Sequence, residues 1–312
     1  MFATIDIGSN STLLLIGEVL PDGQIAIKTD LAKINRLGEG VAQTEKLQPI
    51  AILRTIEVLK EYRELCNNNE VSQVIAVGTQ ALRTATNAKE FVSQIKKELG
   101  LEIEILSAKN EAWYTYIACA KDFGEDILVC DIGGGSTELI WGNFGNRDKT
   151  SEKCHFLSAS LGCVALTERL VQTDPISAED FHLLRVTIDE QLNKSLNTNV
   201  YRHAKKLVAT AGTATTLASI YKKLTTYDHQ KVHGTNIEML DLQVILDNLK
   251  ARSVLERAKM PGMQKGREDV LLAGTLILDR IMRRFGYDNV TFSDRGLRWG
   301  LFYEHFLPKT SS

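Results

Sequence analysis

The chain has 312 residues, 44% hydrophobic and 24% charged, which is the composition of an ordinary soluble globular protein with room for two domains. Its net charge of −2 gives no case for general nucleic-acid binding, and no apolar run approaches the roughly 18–20 residues of a membrane-spanning helix. The N-terminus lacks a basic segment, and the five cysteines form no C-x-x-C pair. We therefore expect a cytoplasmic protein with free thiols and without a disulfide framework or zinc site.

Hydrophobic periodicity and turn residues predict alternating strands and helices along the whole chain. In the first half they predict strands over 2–6, 12–19, 24–29, 73–77 and 101–106, and helices over 50–66, 87–99 and 110–120. In the second half they predict strands over 126–130, 138–141, 206–210 and 290–293, and helices from a capping box at Ser177 to about 196, from 212 through 224, over 269–285, and from 296 to about 306. This alternation predicts the α/β class.

Both halves open with a strand, a glycine turn and a second strand, which is a weak internal repeat. The repeat suggests two similar domains that face one another across a cleft. The two turns are Asp6-Ile-Gly-Ser-Asn-Ser11 and Asp131-Ile-Gly-Gly-Gly-Ser-Thr137.

Successive backbone N–H groups in a tight glycine turn form a concave anion site, so each turn is predicted to bind phosphate. The predicted phosphate contacts are Gly8, Ser9, Asn10 and Ser11 in the first turn and Gly133, Gly134, Gly135, Ser136 and Thr137 in the second. A carboxylate beside a phosphate requires a cation, and Mg²⁺ prefers carboxylates, waters and phosphate oxygens as ligands. Asp6 and Asp131 are accordingly expected to lie close to a divalent metal.

A third turn, Ala211-Gly212-Thr213-Ala214, joins a strand to a helix, and its backbone N–H groups could hold an anion or could simply serve packing. Residues 201–312 carry 18 Lys or Arg against 11 Asp or Glu, which suits either an anionic ligand or a solvated surface. The sequence has no P-loop, no G-x-G-x-x-G dinucleotide motif and no G-x-S-x-G elbow.

With these turns, an ordered set of further segments resembles the exopolyphosphatase/guanosine pentaphosphate phosphohydrolase (Ppx/GppA) family, in its short two-domain form. These segments are Gly78-Thr-Gln-Ala-Leu-Arg83 with Asn87, Asn110-Glu-Ala112, Glu138, Ser160-Leu-Gly162, Lys231-Val-His-Gly234, Arg267 and Ser293-Asp-Arg-Gly-Leu-Arg298. The resemblance covers essentially the whole chain. It implies two ribonuclease H-like (actin-like ATPase) domains, one over 1–109 with about 297–312 and the other over 110–296.

The resemblance also implies a role for individual residues. Glu111 matches the family's catalytic glutamate, a general base for the attacking water, and Asp131 and Glu138 match acids that hold the metal and position water. Arg83 and Arg267 match phosphate-binding arginines, for which bidentate guanidinium geometry is suited. Judged from the residues alone, Glu111 could also be a first-turn glutamate favoured by the helix dipole, and Glu138 an outward-facing strand residue.

The chain departs from the family pattern at Leu13, where some short members carry arginine, and at Trp113, where many members carry arginine. It also departs at Trp299, which replaces the glutamate of a common Gly-Leu-Arg-Glu-Gly ending. Asn110 also replaces the first of two acids. These losses of charge could change substrate choice. Tyr227, His229 and His233 are interpreted as structural. Because the chain ends at Ser312, without the helical region of longer members, we expect a preference for shorter polymers.

The sequence thus favours a Mg²⁺-dependent exophosphatase that removes terminal phosphate from inorganic polyphosphate, with pppGpp as a second candidate substrate. A homodimer is implied by the resemblance alone, and neither nucleic acid nor membrane is an expected partner. Two alternatives stay open at this point: a sugar or acetate kinase of the sugar-kinase/Hsp70/actin ATPase superfamily, to which the resembled family belongs, and a catalytically silent sensor of polyphosphate or (p)ppGpp.

Overall fold

The computed structural model of the chain describes residues 1–142, 154–195 and 204–307. The described residues form two compact units. Unit 1 comprises Met1–Ala118 and the described residues from Leu297 onward, and unit 2 comprises the described residues between Cys119 and Gly296.

Strands and helices alternate in both units. The strands are β1 (Phe2–Ile7), β2 (Ser11–Val19), β3 (Ile25–Ile34), β4 (Gln73–Gly78), β5 (Ile103–Ile105), β6 (Ile127–Ile132), β7 (Thr137–Gly142), β8 (Cys154–Ala159), β9 (Lys206–Thr210), β10 (Asn236–Glu238) and β11 (Asn289–Phe292). The helices are α1 (Val41–Thr44), α2 (Pro49–Asn68), α3 (Gln80–Thr84), α4 (Ala88–Leu99), α5 (Ala108–Phe123), α6 (Cys163–Leu170), α7 (Ala178–Ser195), α8 (Ala211–Tyr221), α9 (His229–Val232), α10 (Met239–Lys250), α11 (Val254–Arg257), α12 (Leu271–Phe285) and α13 (Leu297–Phe306).

The sheet of unit 1 has the strand order β3-β2-β1-β4-β5. Strands β1, β2 and β3 form an antiparallel meander, whereas β1, β4 and β5 run parallel. A tight turn joins β2 to β3, in which Gly23 has a φ of 79° and donates its N–H to Leu20 O at 2.9 Å. The parallel strands therefore end at one edge, beside the turn that joins β1 to β2.

Alternation along the strands of unit 1 gives the sheet two covered faces. On one face Ile5, Ile7 and Leu14 pack with residues of α2 and α4, including Ile56 and Phe91. On the other face Leu15 packs with Phe302 of α13, and Val77 with Leu297 and Leu301. Unit 1 is therefore a three-layer α/β structure with α13 covering β1 and β2.

The sheet of unit 2 has the order β10-β11-β9-β6-β7-β8. Strands β6, β7 and β8 are antiparallel, β6, β9 and β11 are parallel, and β10 is an added antiparallel edge strand. Read from β8, the first five strands repeat the order and directions of unit 1. The internal repeat suggested by the sequence is thus present in the fold.

The core of unit 2 is one large cluster that joins the sheet to α7, α8, α10 and α12. Leu128, Cys130 and Ile132 of β6 point into it, and most residues of α12 are buried. The five cysteines are all free and buried, as the absence of a C-x-x-C pair predicted.

The observed elements differ from the sequence prediction mainly at their ends. Helix α5 starts at Ala108 and ends at Phe123, and the unit boundary falls inside it, after Ala118. The sequence had placed this boundary at residue 109; the longer first unit follows because Ala118 of α5 packs with Leu15 and Phe302. Glu111 therefore belongs to unit 1.

Several elements were not predicted, including α6, α10, β8 and the short β10. The predicted capping box at Ser177 is only half formed. Ser177 Oγ accepts from Asp180 N at 3.0 Å, but Ser177 N donates to Thr173 Oγ1 at 2.7 Å. The Asp180 carboxylate instead accepts the N–H group of Gln172. Within the described ranges, no helix combines the length and apolar character needed to cross a membrane.

Candidate functional site: two glycine turns flanked by acids

The two predicted phosphate turns have the same backbone form. In unit 1, Gly8–Ser11 links paired residues Ile7 and Thr12, and Gly8 N donates to Ser11 O at 3.0 Å. In unit 2, Gly133–Ser136 links Ile132 and Thr137, and Gly133 N donates to Ser136 O at 2.9 Å.

The chain closes tightly at the first position of both turns, which favours glycine there. A Cβ atom on Gly8 would lie 3.0 Å from Ser11 O, and one on Gly133 would lie 3.2 Å from Ser136 O. Four residues with matching closure thus follow an aspartate-bearing strand in each unit, as the repeat predicted.

The segment after β3 forms hydrogen bonds to the carbonyl groups of the first turn. Asn35 N and Arg36 N donate to Asn10 O at 3.1 and 2.9 Å, and Gly38 N donates to Ser9 O at 2.8 Å. The carbonyl groups of the turn are therefore engaged by protein, which leaves its amide side for an anion. The sequence analysis did not identify this backing segment.

The segment after β8 fastens the second turn in the same way. Cys163 N donates to Gly133 O at 3.0 Å, and Val164 N donates to Gly134 O at 3.0 Å. Gly162 packs so closely that a Cβ atom there would lie 2.1 Å from Gly134 O. This contact gives a physical reason for the glycine in Ser160-Leu-Gly162, which entered the sequence analysis only through the family resemblance.

Asp6 stands at the carboxyl end of β1, on the face covered by α13. Its Oδ1 atom is buried and has no hydrogen-bond partner among the described residues. Burial, reinforced by the Glu111 carboxylate and partly opposed by the Arg298 guanidinium, raises the pKa of Asp6 to about 7. A desolvated carboxyl oxygen of this kind fits a cation ligand.

Glu111 lies in the first turn of α5, whose start is capped by Ser107: Asn110 N donates to Ser107 Oγ at 3.2 Å. Arg83 Nη1 donates to Glu111 Oε2 at 2.5 Å. Burial raises the pKa of Glu111, and the charge and hydrogen bond of Arg83 partly oppose that shift. Asp6 and Glu111 thus form a desolvated acidic pair within unit 1.

Asp131 and Glu138 lie opposite one another on β6 and β7, so the structure brings these two predicted acids together. Across the next strand pair Glu138 faces Ser158, and across β9 Asp131 faces Thr210. Glu138 Oε1 accepts from Ser136 Oγ and from Ser158 Oγ, each at 2.7 Å. The result is a polar row at the edge of the sheet, directly below the second turn.

Thr137 and Thr213, both predicted phosphate contacts, are buried and their hydroxyl groups are turned inward. Thr137 Oγ1 donates to Leu161 O at 2.5 Å, and Thr213 Oγ1 to Ile132 O at 3.5 Å. Any phosphate contact from these two residues would therefore come from their main-chain nitrogens.

The third turn adopts an unusual backbone at the start of α8. Ala211 has a φ of 68°, a left-handed conformation that is uncommon for alanine. Gly212 lies against the buried Arg267, since a Cβ atom there would be 2.1 Å from its Cζ. The first turn of α8 contains no acidic residue. A guanidinium at the positive end of a helix favours an anion nearby, which accords with the predicted roles of Gly212, Thr213 and Arg267.

The departures from the family pattern have defined surroundings. Leu13 lies opposite Asp6, at the place that Glu138 occupies opposite Asp131. Trp113 is buried. Trp299 Nε1 donates to Asp30 Oδ2 at 3.1 Å, and Arg298 binds the same carboxylate through Nε at 2.7 Å and Nη2 at 2.9 Å.

Tyr227 and His229, interpreted from the sequence as structural, both bind the carboxylate of Asp294. His233 Nε2 lies 3.5 Å from Asp122 Oδ2, and burial lowers the pKa of His233. The Asp294 contacts connect the α9 region to the loop after β11, and the Asp122 contact connects His233 to α5. The sequence analysis gave no role to Asp30, Asp294 or Ser158, because their partners are distant in the chain.

The two-sheet fold is one that this chain shares with known proteins. Each unit carries the same five-strand order with an acid-flanked glycine turn, which defines a duplicated α/β protein. A model of the Ppx/GppA phosphatase family matches residues 20–309, and the chain belongs to that family.

Exopolyphosphatase 2 of Mycobacterium tuberculosis is 31% identical to the chain over 314 residues, with 96% of each covered. A bifunctional 3-dehydroquinate synthase/phosphatase of Fusobacterium nucleatum is 32% identical over 321 residues, which cover 97% of this chain and 46% of that protein.

Among solved structures, the Aquifex aeolicus member of the Ppx/GppA family is 34% identical, with a TM-score of 0.82 and coverage of 100% of this chain and 99% of that one. An exopolyphosphatase from Cytophaga hutchinsonii is 25% identical, with a TM-score of 0.86 and coverage of 97% and 96%. These similarities confirm the family and the two-domain α/β fold predicted from the sequence.

Proposed function

We propose that the chain is an exopolyphosphatase that releases terminal orthophosphate from inorganic polyphosphate, and that pppGpp is a second substrate. The observation that carries the proposal is the second turn with Asp131 and Glu138 directly below it. Family membership and the named activity of the Mycobacterium tuberculosis relative support it. Both substrates end in a phosphoanhydride-linked terminal phosphate, so one site can serve both.

The acids fit a hard divalent cation such as Mg²⁺. We assign Asp131, Glu138 and Asp6 as its protein ligands, with water and phosphate oxygens completing the set. The fit rests on carboxylate donors and on the buried Asp6 Oδ1, which lacks a partner among the described residues. When bound, the cation neutralises charge on the phosphate oxygens.

The protein groups supply binding, orientation and proton transfer. The amide sides of Gly8–Ser11 and Gly133–Ser136 bind phosphate oxygens, and Gly212, Thr213 and Arg267 bind a further phosphate. Glu111 accepts the proton of the water that attacks the terminal phosphorus, and the bond to the bridging oxygen breaks. Burial suits Glu111 to this role because it raises the pKa of the carboxyl toward neutrality.

The test is a phosphate-release panel with short polyphosphate, long polyphosphate, pppGpp and ATP, each with Mg²⁺ and with a chelator. We expect release from polyphosphate and pppGpp that requires Mg²⁺. Glu111→Gln should lower turnover by about 10²-fold or more while polyphosphate binding persists. Glu104→Gln, an exposed glutamate of β5, is the matched control and should leave turnover unchanged.

Other outcomes of the panel separate the alternatives. Retained turnover in Glu111→Gln would contradict the base assignment. Tight polyphosphate binding with no release under any divalent metal would indicate a silent sensor, and transfer of phosphate from ATP to a metabolite would indicate a kinase. The homodimer implied by the family resemblance is checked separately, by light scattering.

A further inference from the structure

Arg83 is the cation in direct contact with Glu111 within unit 1. It lies in the last turn of α3, and its Nη1 donates both to Leu106 O at 3.0 Å and to Glu111 Oε2 at 2.5 Å. Both side chains are mostly buried, with exposed fractions of 25% and 21%. The ion pair is therefore partly shielded from solvent, unlike a surface pair.

Its position is set by the main chain on both sides. Arg83 N donates to Thr79 O at 3.0 Å within the turn that follows β4, and Leu106 N donates to Gly78 O at 2.9 Å. Both the Leu106 carbonyl and the start of α3 are therefore anchored by main-chain hydrogen bonds to the end of β4 and the residue after it. A guanidinium held in this way keeps its Nη1 atom directed at Glu111.

The charges around Glu111 make this contact consequential. Asp6 is close enough to Glu111 that the Glu111 charge raises the pKa of Asp6, so two acids share a desolvated region. Burial disfavours the ionised form of Glu111, and Arg83 is what opposes that effect. A general base must be ionised to take a proton.

We infer that Arg83 is a positioning residue that acts through Glu111, holding its carboxylate in the orientation that the attacking water requires. The inference rests on the proposed function, in which Glu111 is the base. It differs from the role that the family resemblance gave Arg83, direct phosphate binding. The positioning role rests on the two contacts of Nη1, to Leu106 O and Glu111 Oε2, whereas a phosphate would be bound through Nε or Nη2.

The two roles separate in a comparison of Arg83→Met, Arg83→Lys and Lys96→Met. Lys96 forms an exposed ion pair with Glu102 in the same unit, and its variant controls for loss of one positive charge. Two readouts are needed: kcat and KM on polyphosphate, and the titration of Glu111 by NMR of carboxyl-¹³C-labelled glutamate. The Glu111 resonance is assigned by its disappearance in Glu111→Gln.

If Arg83 positions the base, Arg83→Met lowers kcat at least about tenfold and changes KM less than about threefold. The pKa of Glu111 rises in the same variant, and Arg83→Lys restores part of both. A raised KM with unchanged kcat and an unchanged Glu111 titration would overturn the inference in favour of a phosphate ligand.

The titration also keeps the two proposals distinguishable. If the wild type releases no phosphate from any substrate, the proposed function fails, and the Glu111 titration still decides whether Arg83 controls its carboxylate. If circular dichroism shows that Arg83→Met does not fold, Arg83→Lys carries the same comparison with a smaller expected shift. An unshifted Glu111 in a folded Arg83→Lys variant would then count against the inference.

Discussion

The first and second glycine turns have the same backbone conformation but different side chains around them. Each closes with the same N–H to carbonyl bond, and each is held from behind by the segment that follows the third strand of its sheet. The position opposite the strand aspartate is Leu13 in unit 1 and Glu138 in unit 2. The two turns therefore share a backbone conformation and differ in the side chains around it.

Because of this difference, the acidic residues of the two units lie in different surroundings. In unit 2, Glu138, Ser136 and Ser158 form a hydrogen-bonded polar row beside Asp131, an arrangement suited to holding a hydrated cation. In unit 1, Asp6 is desolvated beside Glu111. A desolvated pair raises carboxyl pKa values and favours proton transfer, so the comparison predicts metal binding mainly in unit 2 and base chemistry in unit 1.

The largest effect should come from making the second turn resemble the first. Glu138→Leu removes a carboxylate that we assign to the metal, so turnover should fall by about 10²–10³-fold and the Mg²⁺ concentration for half-maximal activity should rise. Phosphate release against Mg²⁺ concentration measures both. Glu179→Leu, on the surface of α7, is the control. Unchanged Mg²⁺ dependence in Glu138→Leu would remove this residue from the metal site.

The next effect concerns the backing of the turns. Gly162→Ala would place a Cβ atom 2.1 Å from Gly134 O, whereas Gly38→Ala would place one 2.8 Å from Ser9 Cβ. Because the overlap is deeper at Gly162, where three backbone atoms lie within 2.3 Å, we expect Gly162→Ala to lower the free energy of unfolding by roughly 3 kcal/mol or more, and Gly38→Ala by roughly 1–2 kcal/mol. Denaturant unfolding of both variants tests this order. Gly124→Ala is not a suitable control because its φ is 86°.

A third prediction uses the raised pKa of Asp6, about 7 against an ordinary 3.8. Because the folded protein prefers the neutral form, ionisation of Asp6 costs stability, and the cost grows as pH rises from about 4 and is complete above about 7. Without divalent metal, Asp6→Asn should therefore stabilise the chain by roughly 2–4 kcal/mol at pH 8 and have little effect near pH 4. Thermal unfolding in chelator across this range measures it; equal effects at both pH values would show that Asp6 is solvated.

The features that depend on local sequence pattern could be predicted from the sequence. Glycine followed by polar residues between two apolar strands marked both turns, and the order of strands and helices marked the α/β class. The cross-strand alignment of Asp131 with Glu138 also follows from a four-residue turn, since the pairing of Ile132 with Thr137 fixes the next pair.

Contacts between distant segments could not be predicted in this way. Gly162 packs on Gly134, and Arg298 binds Asp30 across 268 positions, with no periodicity that links them. The burial that shifts the pKa of Asp6 and Glu111 is equally a product of tertiary packing. Helix α10 is a different case, because Leu242, Ile245, Leu246 and Leu249 carry a helical period that was present in the sequence and was missed.

The smallest predicted effect concerns Trp299, where the family's common ending has glutamate. The Asp30 side chain is 7% exposed and receives three N–H donors, two from Arg298 and one from the Trp299 indole. Trp299→Phe removes one donor and should cost roughly 1–2 kcal/mol of unfolding free energy, with little change in kcat. Trp299→Glu introduces a second acid beside Asp30 and should cost more, unless Asp30→Asn is made as well. Denaturant unfolding of the two single variants and the double variant forms the cycle. If Trp299→Glu proves as stable as the wild type, the hydrogen bond from the indole to Asp30 does not contribute to stability. The presence of tryptophan at this position would then be explained by its packing against Tyr303.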